Sequence, residues 1–390
     1  MGKYCLQKEK IDQTKKYLKE NDIDCWLIKT KEGSDPCMSL IFGFTVVGEA
    51  IMIITQRKTY SIVSIIDAQD SEECGLFDEV IKYGKEGIKE HLINLLSQIK
   101  PKKIAINYSK DSHLSDGLTV GSYRNLMDMV GSESYEFISS EMFLQRLRSI
   151  KSKQEIEYIQ KAIDLTLEIY DVVFTKIRKG MSEIEIGNLF IEEMKRLGVV
   201  NGISRKLTPP IVMKCNIAHR PPSNAIIEGG DYLIFDFSVD YKGYCSDIAR
   251  TCYVLKDGEE KASEEMDRAF KVIYEAVNKA VDSLRPGTLG FEVDRVARQY
   301  VVDMGYPNII HAVGHQIGRN VHDGGTLLAP DLKRYKKGSY GIIEEGMVFA
   351  VEPTILYTEG PAIISEENVL ITNNGAIFLS KRQESLVLIK

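Results

Sequence analysis

Residues 231–254 read DYLIFDFSVDYKGYCSDIARTCYV. Two runs rich in β-branched and aromatic residues flank Asp240-Tyr241-Lys242-Gly243, a texture that predicts a β-hairpin. Asp first and Gly last suit a type I turn centred on Tyr241-Lys242. Symmetry about that centre sets Asp236 opposite Asp247, a register that a bulge would shift. Directly opposed side chains have Cβ atoms about 4.5–5.5 Å apart, where like charges destabilise the pair. Two facing aspartates on an otherwise apolar hairpin therefore need a counter-charge, and a bound cation supplies one.

The pattern recurs near the C-terminus. GMVFAVEPTILY (346–357) and AIISEENVLIT (362–372) flank Thr358-Glu359-Gly360. Symmetry about Glu359 pairs Glu352 with Glu366, while Glu367 points to the opposite face because side chains alternate along a strand. Histidines are the third element: four of the six lie between 219 and 322. His315 sits in HAVGHQIGRNVHD, with His311 four residues before it and His322 seven after. Gly314 and Gly318 beside it allow close backbone approach. Four carboxylates and one imidazole form a hard donor set suited to Mn, Co, Fe or Zn. Bridging carboxylates can hold two ions about 3.5–4 Å apart, and the ions then share an acidified water; the chemistry pointed to is hydrolysis.

Outward from the hairpins, the order of elements repeats. Apolar residues at 156, 159, 163, 166, 170, 173 and 177 make one stripe of a long helix, with Gly180 placed to end it. Ser182 and Glu185 form a capping box for a second helix that Gly198 terminates. Strands are expected at 208–214, 231–239 and 244–254. A second helix pair, about 264–283 and then to about 304, precedes strands at 346–357 and 361–372. Helix pair then hairpin, twice, predicts a duplicated α+β unit. Residues 1–140 alternate differently, with a helix near 8–20, strands at 25–28, 50–55, 60–66 and 103–107, and a helix near 86–99. That order predicts a smaller α/β domain, a sheet covered by helices. The boundary is expected near 130–142, in GSESYEFISSEM, giving an N-terminal domain of 1–140 and a catalytic domain of 144–390.

Composition narrows the class. The 390 residues are 44% hydrophobic and 27% charged, which fits a globular chain of two or three domains. Lys plus Arg number 50 against 56 Asp plus Glu, a net charge of -6, and there is no basic run. Such a chain is a poor nucleic-acid binder. No apolar run reaches the ~20 residues of a membrane helix, and residues 1–18 have no secretory apolar stretch. Seven scattered cysteines without a CxxC fit a reduced, cytoplasmic protein.

These residues together resemble the creatinase/prolidase/methionine aminopeptidase family, the "pita-bread" metallopeptidases. The family's Asp-x-Gly…Ser-Asp-x-Thr-Arg is similar to Asp236-Phe237-Ser238…Ser246-Asp247-Ile248-Ala249-Arg250. Gly-His-Gly-(Ile/Val)-Gly…Val-His-Glu resembles Gly314-His315-Gln316-Ile317-Gly318…Val321-His322-Asp323. Glu-Pro-Gly is similar to Glu352-Pro353-Thr354, and Glu-Asp-x-Val-Leu-Val-Thr to Glu366-Glu367-Asn368-Val369-Leu370-Ile371-Thr372. Ala218-His219-Arg220-Pro221 resembles the substrate-facing histidine that precedes the first ligand. Arg148–Ser152 with Glu155-Ile156 resembles the leading helix of Xaa-Pro peptidases. The resemblance is strong over 144–390 and weak over 1–140.

The resemblance implies five metal ligands, Asp236, Asp247, His315, Glu352 and Glu366, holding two divalent ions. It implies catalytic roles for Glu352 as proton acceptor and for His219 and His322 toward substrate, and it implies a homodimer. The function it implies is hydrolysis of the bond before proline, by an Xaa-Pro aminopeptidase or dipeptidase acting on proline-containing peptides. The alternatives are a metal-free creatinase-like amidinohydrolase and a non-catalytic binding protein on the same fold; complete ligands argue against both. A methionine aminopeptidase usually lacks a 140-residue domain in front. The family's Arg before the last Glu is replaced by Ile364-Ser365. A strict dipeptidase needs a cation for the product carboxylate, so this departure favours an aminopeptidase acting on longer peptides.

Overall fold

The computed structural model describes residues 3–131, 134–214, 220–357 and 362–390. The chain divides into two compact units, Met1–Leu147 and Arg148–Lys390.

The first unit is built on a six-stranded sheet. Its order is Glu79–Tyr83, Thr59–Ser64, Ala50–Thr55, Cys25–Thr30, Lys103–Ile106, Glu136–Ser139. The central strand is buried along its whole length. Alternation sends Trp26 and Ile28 into one core and Cys25 and Leu27 into the other, as expected for a strand covered on both faces. The helix Lys89–Ile99 supplies Leu92, Leu95 and Leu96 to the second core. The polar stretch expected to divide the chain instead contributes the edge strand Glu136–Ser139, parallel to Lys103–Ile106. The division falls later, at Leu147/Arg148, within the helix Glu141–Ser149. Polar composition here marks an edge strand, where few side chains need burial.

The second unit begins with the helices Lys153–Lys176 and Glu183–Leu197. Both start with reciprocal capping boxes, Ser152 with Glu155 and Ser182 with Glu185. Each satisfies orphan N–H groups of a helix start. Gly198, at φ 68°, closes the second helix. The first ends at Lys176, so Gly180 lies in the connecting turn, at φ 92°. A four-stranded sheet follows, in the order Val387–Ile389, Ile248–Val254, Tyr232–Phe237, Ile211–Lys214.

The pattern then repeats with the helices Glu264–Ser283 and Gly290–Asp303. The first buries Ala269, Phe270, Ile273, Ala276, Val277 and Ala280. That helical spacing stacks one face on the largest core, and burying each large apolar side chain contributes about 1.5–3 kcal/mol. The second sheet runs Leu327–Leu328, Gly314–Gln316, Val348–Val351, Glu367–Thr372, Gly375–Phe378. Among the described residues no helix is long and apolar enough to cross a membrane, and none of the six described cysteines is in a disulfide.

Candidate metal centre

The aspartate hairpin turns more tightly than its sequence suggests. Lys242 and Gly243 both have positive φ, 52° and 80°, as in a two-residue type I′ turn whose twist matches the flanking strands. Asp240 therefore pairs with Cys245 and Tyr241 with Tyr244. Farther along, Asp236 pairs with Ala249 and not with Asp247. The expected register is corrected by two residues. An even shift leaves both aspartates on one face, so they are diagonal neighbours. Asp247 sits in the break between Tyr244–Cys245 and Ile248–Val254. There Asn368 clamps its peptide, accepting from the Asp247 N–H at 3.0 Å and donating to its carbonyl at 2.5 Å.

In the second hairpin Val348 pairs with Leu370 and Val351 with Glu367. Thr354 pairs with Ile364 beyond the gap. This register brings Glu352 level with Glu366, as the sequence predicts; the turn at Thr358–Gly360 lies outside the described residues. Pro353, which has no N–H, separates Val348–Val351 from Thr354–Leu356. Glu367 turns to the other face, where Arg250 meets it at 3.2 Å.

His315 arrives on a strand that sequence reading missed, Gly314–Gln316, which pairs with Val348–Val351. The close approach depends on Gly314, since a Cβ there would lie 2.3 Å from the Ala350 carbonyl oxygen. The ring stands with Nε2 3.5 Å from Asp247 Oδ2 and 3.6 Å from Glu352 Oε1. Asp247, His315 and Glu366 each offer a ligand atom, all within 4.8 Å of one another.

Electrostatics ties in the remaining carboxylate. Burial, then the charges of Asp236 and Glu352, push the Asp247 carboxyl well above its ordinary range. Burial, then Asp247, Glu352 and Asp236, do the same to Glu366, against the opposing pull of Arg250. Glu352 is pushed up to about 8, by burial and by Asp236. It keeps 22% of its side chain accessible, against 5% for Asp247 and 8% for His315, and so lies toward the open side. Burial, then neighbouring His322, hold His315 down to about 3, so it stays neutral with a lone pair to give. Its Nδ1 faces the Gln316 carbonyl at 3.4 Å, which leaves Nε2 for a ligand. Four mutually repelling carboxylates around a neutral imidazole fit divalent cations, because a bound cation offsets both the repulsion and the desolvation.

The His322 ring lies against His315, with centroids 4.4 Å apart. His311 faces the Ala312 carbonyl through Nδ1. His219 lies outside the described residues. Glu183 does hold both flanks of its segment, accepting from Lys214 N, Arg220, Ser223 N and Ser223 Oγ. Sequence reading gave no role to Asn368 or Arg250. The signal was present, since both are polar residues in runs that otherwise read as buried strand.

Residues 157–373 match the family model described as metallopeptidase family M24. An Xaa-Pro dipeptidase of Pyrococcus furiosus is 26% identical over 388 residues, 97% of this chain and 100% of that protein. The solved Xaa-Pro dipeptidase from Bacillus anthracis aligns with a TM-score of 0.79 at 25% identity, covering 98% of this chain and 100% of that one. An X-Pro aminopeptidase from Thermotoga maritima MSB8 aligns with a TM-score of 0.76 at 26% identity, covering 94% and 98%. These likenesses bear out the expected architecture, an α+β pita-bread unit preceded by a smaller α/β unit.

Proposed function

Because the chain belongs to metallopeptidase family M24, we propose that it is a metal-dependent Xaa-Pro peptidase, cleaving the bond before proline in peptides. The observation that carries the metal requirement is the gathering of buried carboxylates around a neutral His315. Asp236, Asp247, His315, Glu352 and Glu366 would hold two divalent ions, Mn, Co, Fe or Zn. When bound, the ions supply an acidified water and Lewis-acid polarisation of the scissile carbonyl.

The protein's own groups supply the rest. Glu352, on the accessible side of the set, accepts the proton of the attacking water. His322 and His219 face the substrate, donate toward the carbonyl oxygen as negative charge develops, and assist proton delivery to the departing nitrogen. Any departing amide nitrogen needs that proton; proline differs in what an enzyme can grip. Its amide nitrogen carries no hydrogen, and its ring fixes φ, so a peptidase that grips an N–H at that position fails on it. The activities for which the relatives are named, Xaa-Pro dipeptidase and X-Pro aminopeptidase, support the substrate class.

We place the enzyme in the cytoplasm as a homodimer, apart from membranes and nucleic acid, in keeping with its scattered cysteines, which form no CxxC, and its mild acidity. Ile364-Ser365, standing where the resemblance described above implies an arginine, supports peptides longer than two residues. The test is metal analysis of the purified protein beside digestion of a peptide library. Cleavage confined to Xaa-Pro bonds, lost on chelation and restored by Mn²⁺ or Co²⁺, is expected. A protein that binds no divalent metal, or that cleaves no Xaa-Pro bond with Mn²⁺ or Co²⁺ supplied, would refute the proposal.

A further inference from the structure

Arg148, Asp323 and Lys151 form a charged cluster beneath the segment that carries His322, and the mechanism above uses none of them. Their side chains are only 4%, 2% and 1% exposed. Arg148 donates from Nη2 to Asp323 Oδ1 at 2.5 Å and from Nε to the Asp323 carbonyl at 3.4 Å. It therefore holds the residue by side chain and main chain together. Lys151 Nζ stands 3.8 Å from Asp323 Oδ2.

Asp323 in turn organises its own loop. Its Oδ1 accepts from Asn320 N at 3.2 Å, and its N–H donates to the Gln316 carbonyl at 3.0 Å. The second bond ties the ends of segment 316–323. Gly318 permits the approach, since a Cβ there would lie 2.3 Å from Asp323 Oδ2. The tied residues are the chain neighbours of the two imidazoles: Gln316 follows His315 and Asp323 follows His322.

We infer that the Arg148–Asp323–Lys151 cluster is a positioning device for His322, fixing the backbone of residue 323 so that the preceding imidazole is held against His315. The inference rests on the reading of His322 as a substrate-facing group. A buried residue held by one guanidinium at both its carboxylate and its main-chain carbonyl has little freedom. A shift of about 1 Å in a catalytic group costs on the order of a hundredfold in rate.

The test is a double-mutant cycle on the metal-loaded enzyme with an Xaa-Pro peptide: His322→Ala, Asp323→Asn and both, with metal content and thermal melting measured for each. Asp323→Asn is expected to lower kcat by about tenfold or more, with KM and metal content unchanged. In the His322→Ala background the same change is expected to lower kcat less than about twofold, because the geometry it serves is gone. Asp323→Glu, which keeps the charge, is expected to recover most of the activity. Equal losses in both backgrounds, or an undiminished kcat in Asp323→Asn, would overturn the inference. A His322→Ala enzyme with full kcat would instead overturn the reading beneath it. Asp323→Asn removes the negative charge that faces Arg148 and Lys151. Should that variant not fold, Arg148→Lys takes its place in the cycle, keeping the cation and losing the two-armed grip, under the same criteria.

Discussion

Replacing Arg250 by methionine should destabilise the second unit and loosen its hold on metal. The Arg250 side chain is 4% exposed and that of Glu367 fully buried. One guanidinium donates to the carbonyls of Glu366 at 2.7 Å, Ala249 at 3.1 Å and Lys381 at 2.9 Å, and to Glu367 Oε2 at 3.2 Å. Arg250→Met strands the Glu366 and Lys381 carbonyls, while the Ala249 carbonyl keeps the Glu366 N–H at 3.1 Å. It leaves Glu367 to Ser380 Oγ, Gln383 N and the more distant Arg382. Breaking a buried pair from one side costs about 3–5 kcal/mol. Glu367→Gln leaves Arg250 its three carbonyls and should cost less, about 1–3 kcal/mol. Removing both charges together should cost less than the two single losses added, by about 1–3 kcal/mol of coupling. Because the Glu366 carbonyl is held by Arg250, metal affinity should also fall, by about 10–100-fold. Urea denaturation followed by far-UV circular dichroism measures the stability changes. The single tryptophan, Trp26, lies in the first unit, so its fluorescence reports that unit separately. A double variant as unstable as the summed singles would refute the assignment of Arg250 and Glu367 as one charge-balanced pair.

Other outcomes are expected. Asp247→Asn should lose metal and activity while remaining folded, and full activity after washing with chelator would exclude Asp247 as a ligand. His219→Ala should lower kcat with metal content unchanged; stoichiometric loss of metal would make that histidine a ligand instead. The metal-free protein should lose stability as pH rises from about 6.5 to about 8. In that interval the folded state keeps a proton on Glu352 that the unfolded state, with its ordinary value of 4.5, has released. Below 6.5 the depressed His315 acts in the opposite sense, since there the unfolded state binds the extra proton. Thermal melting with and without Mn²⁺ checks this, and a metal-free melting curve that does not move between pH 6.5 and 8 would refute it. An Xaa-Pro-Yaa tripeptide should be cleaved at least as well as an Xaa-Pro dipeptide. A dipeptide preference of tenfold in kcat/KM, about 1.4 kcal/mol, would reveal a carboxylate clamp elsewhere.

What could be read without coordinates follows the range of the forces involved. The capping box at Ser182 and Glu185, the Gly198 stop and the register of Glu352 against Glu366 were legible, because each is written within a few residues of where it acts. The aspartate hairpin was misread by two residues because its turn places Lys242 at positive φ, which lysine does not favour; strand twist overrides local preference there. The strand carrying His315 spans three residues next to glycine and shows no alternation to detect. Arg148 and Asp323 lie 175 residues apart, and nothing local to either announces the other.

The sheet that carries Asp236, and whose strand Ile248–Val254 starts just after Asp247, is completed by Val387–Ile389, which pairs in parallel with Cys252–Val254. Everything belonging to the second repeat lies between these partners in the chain. On the ribosome, therefore, the first repeat emerges with Ile248–Val254 as an uncovered edge, although all seven of its residues are buried in the finished protein. That edge must wait through the synthesis of more than a hundred residues, and an apolar unpaired strand is a template for the wrong neighbour. The two repeats consequently mature together once Val387–Ile389 has emerged, and demand for chaperones should be greatest while residues 255–386 are being made.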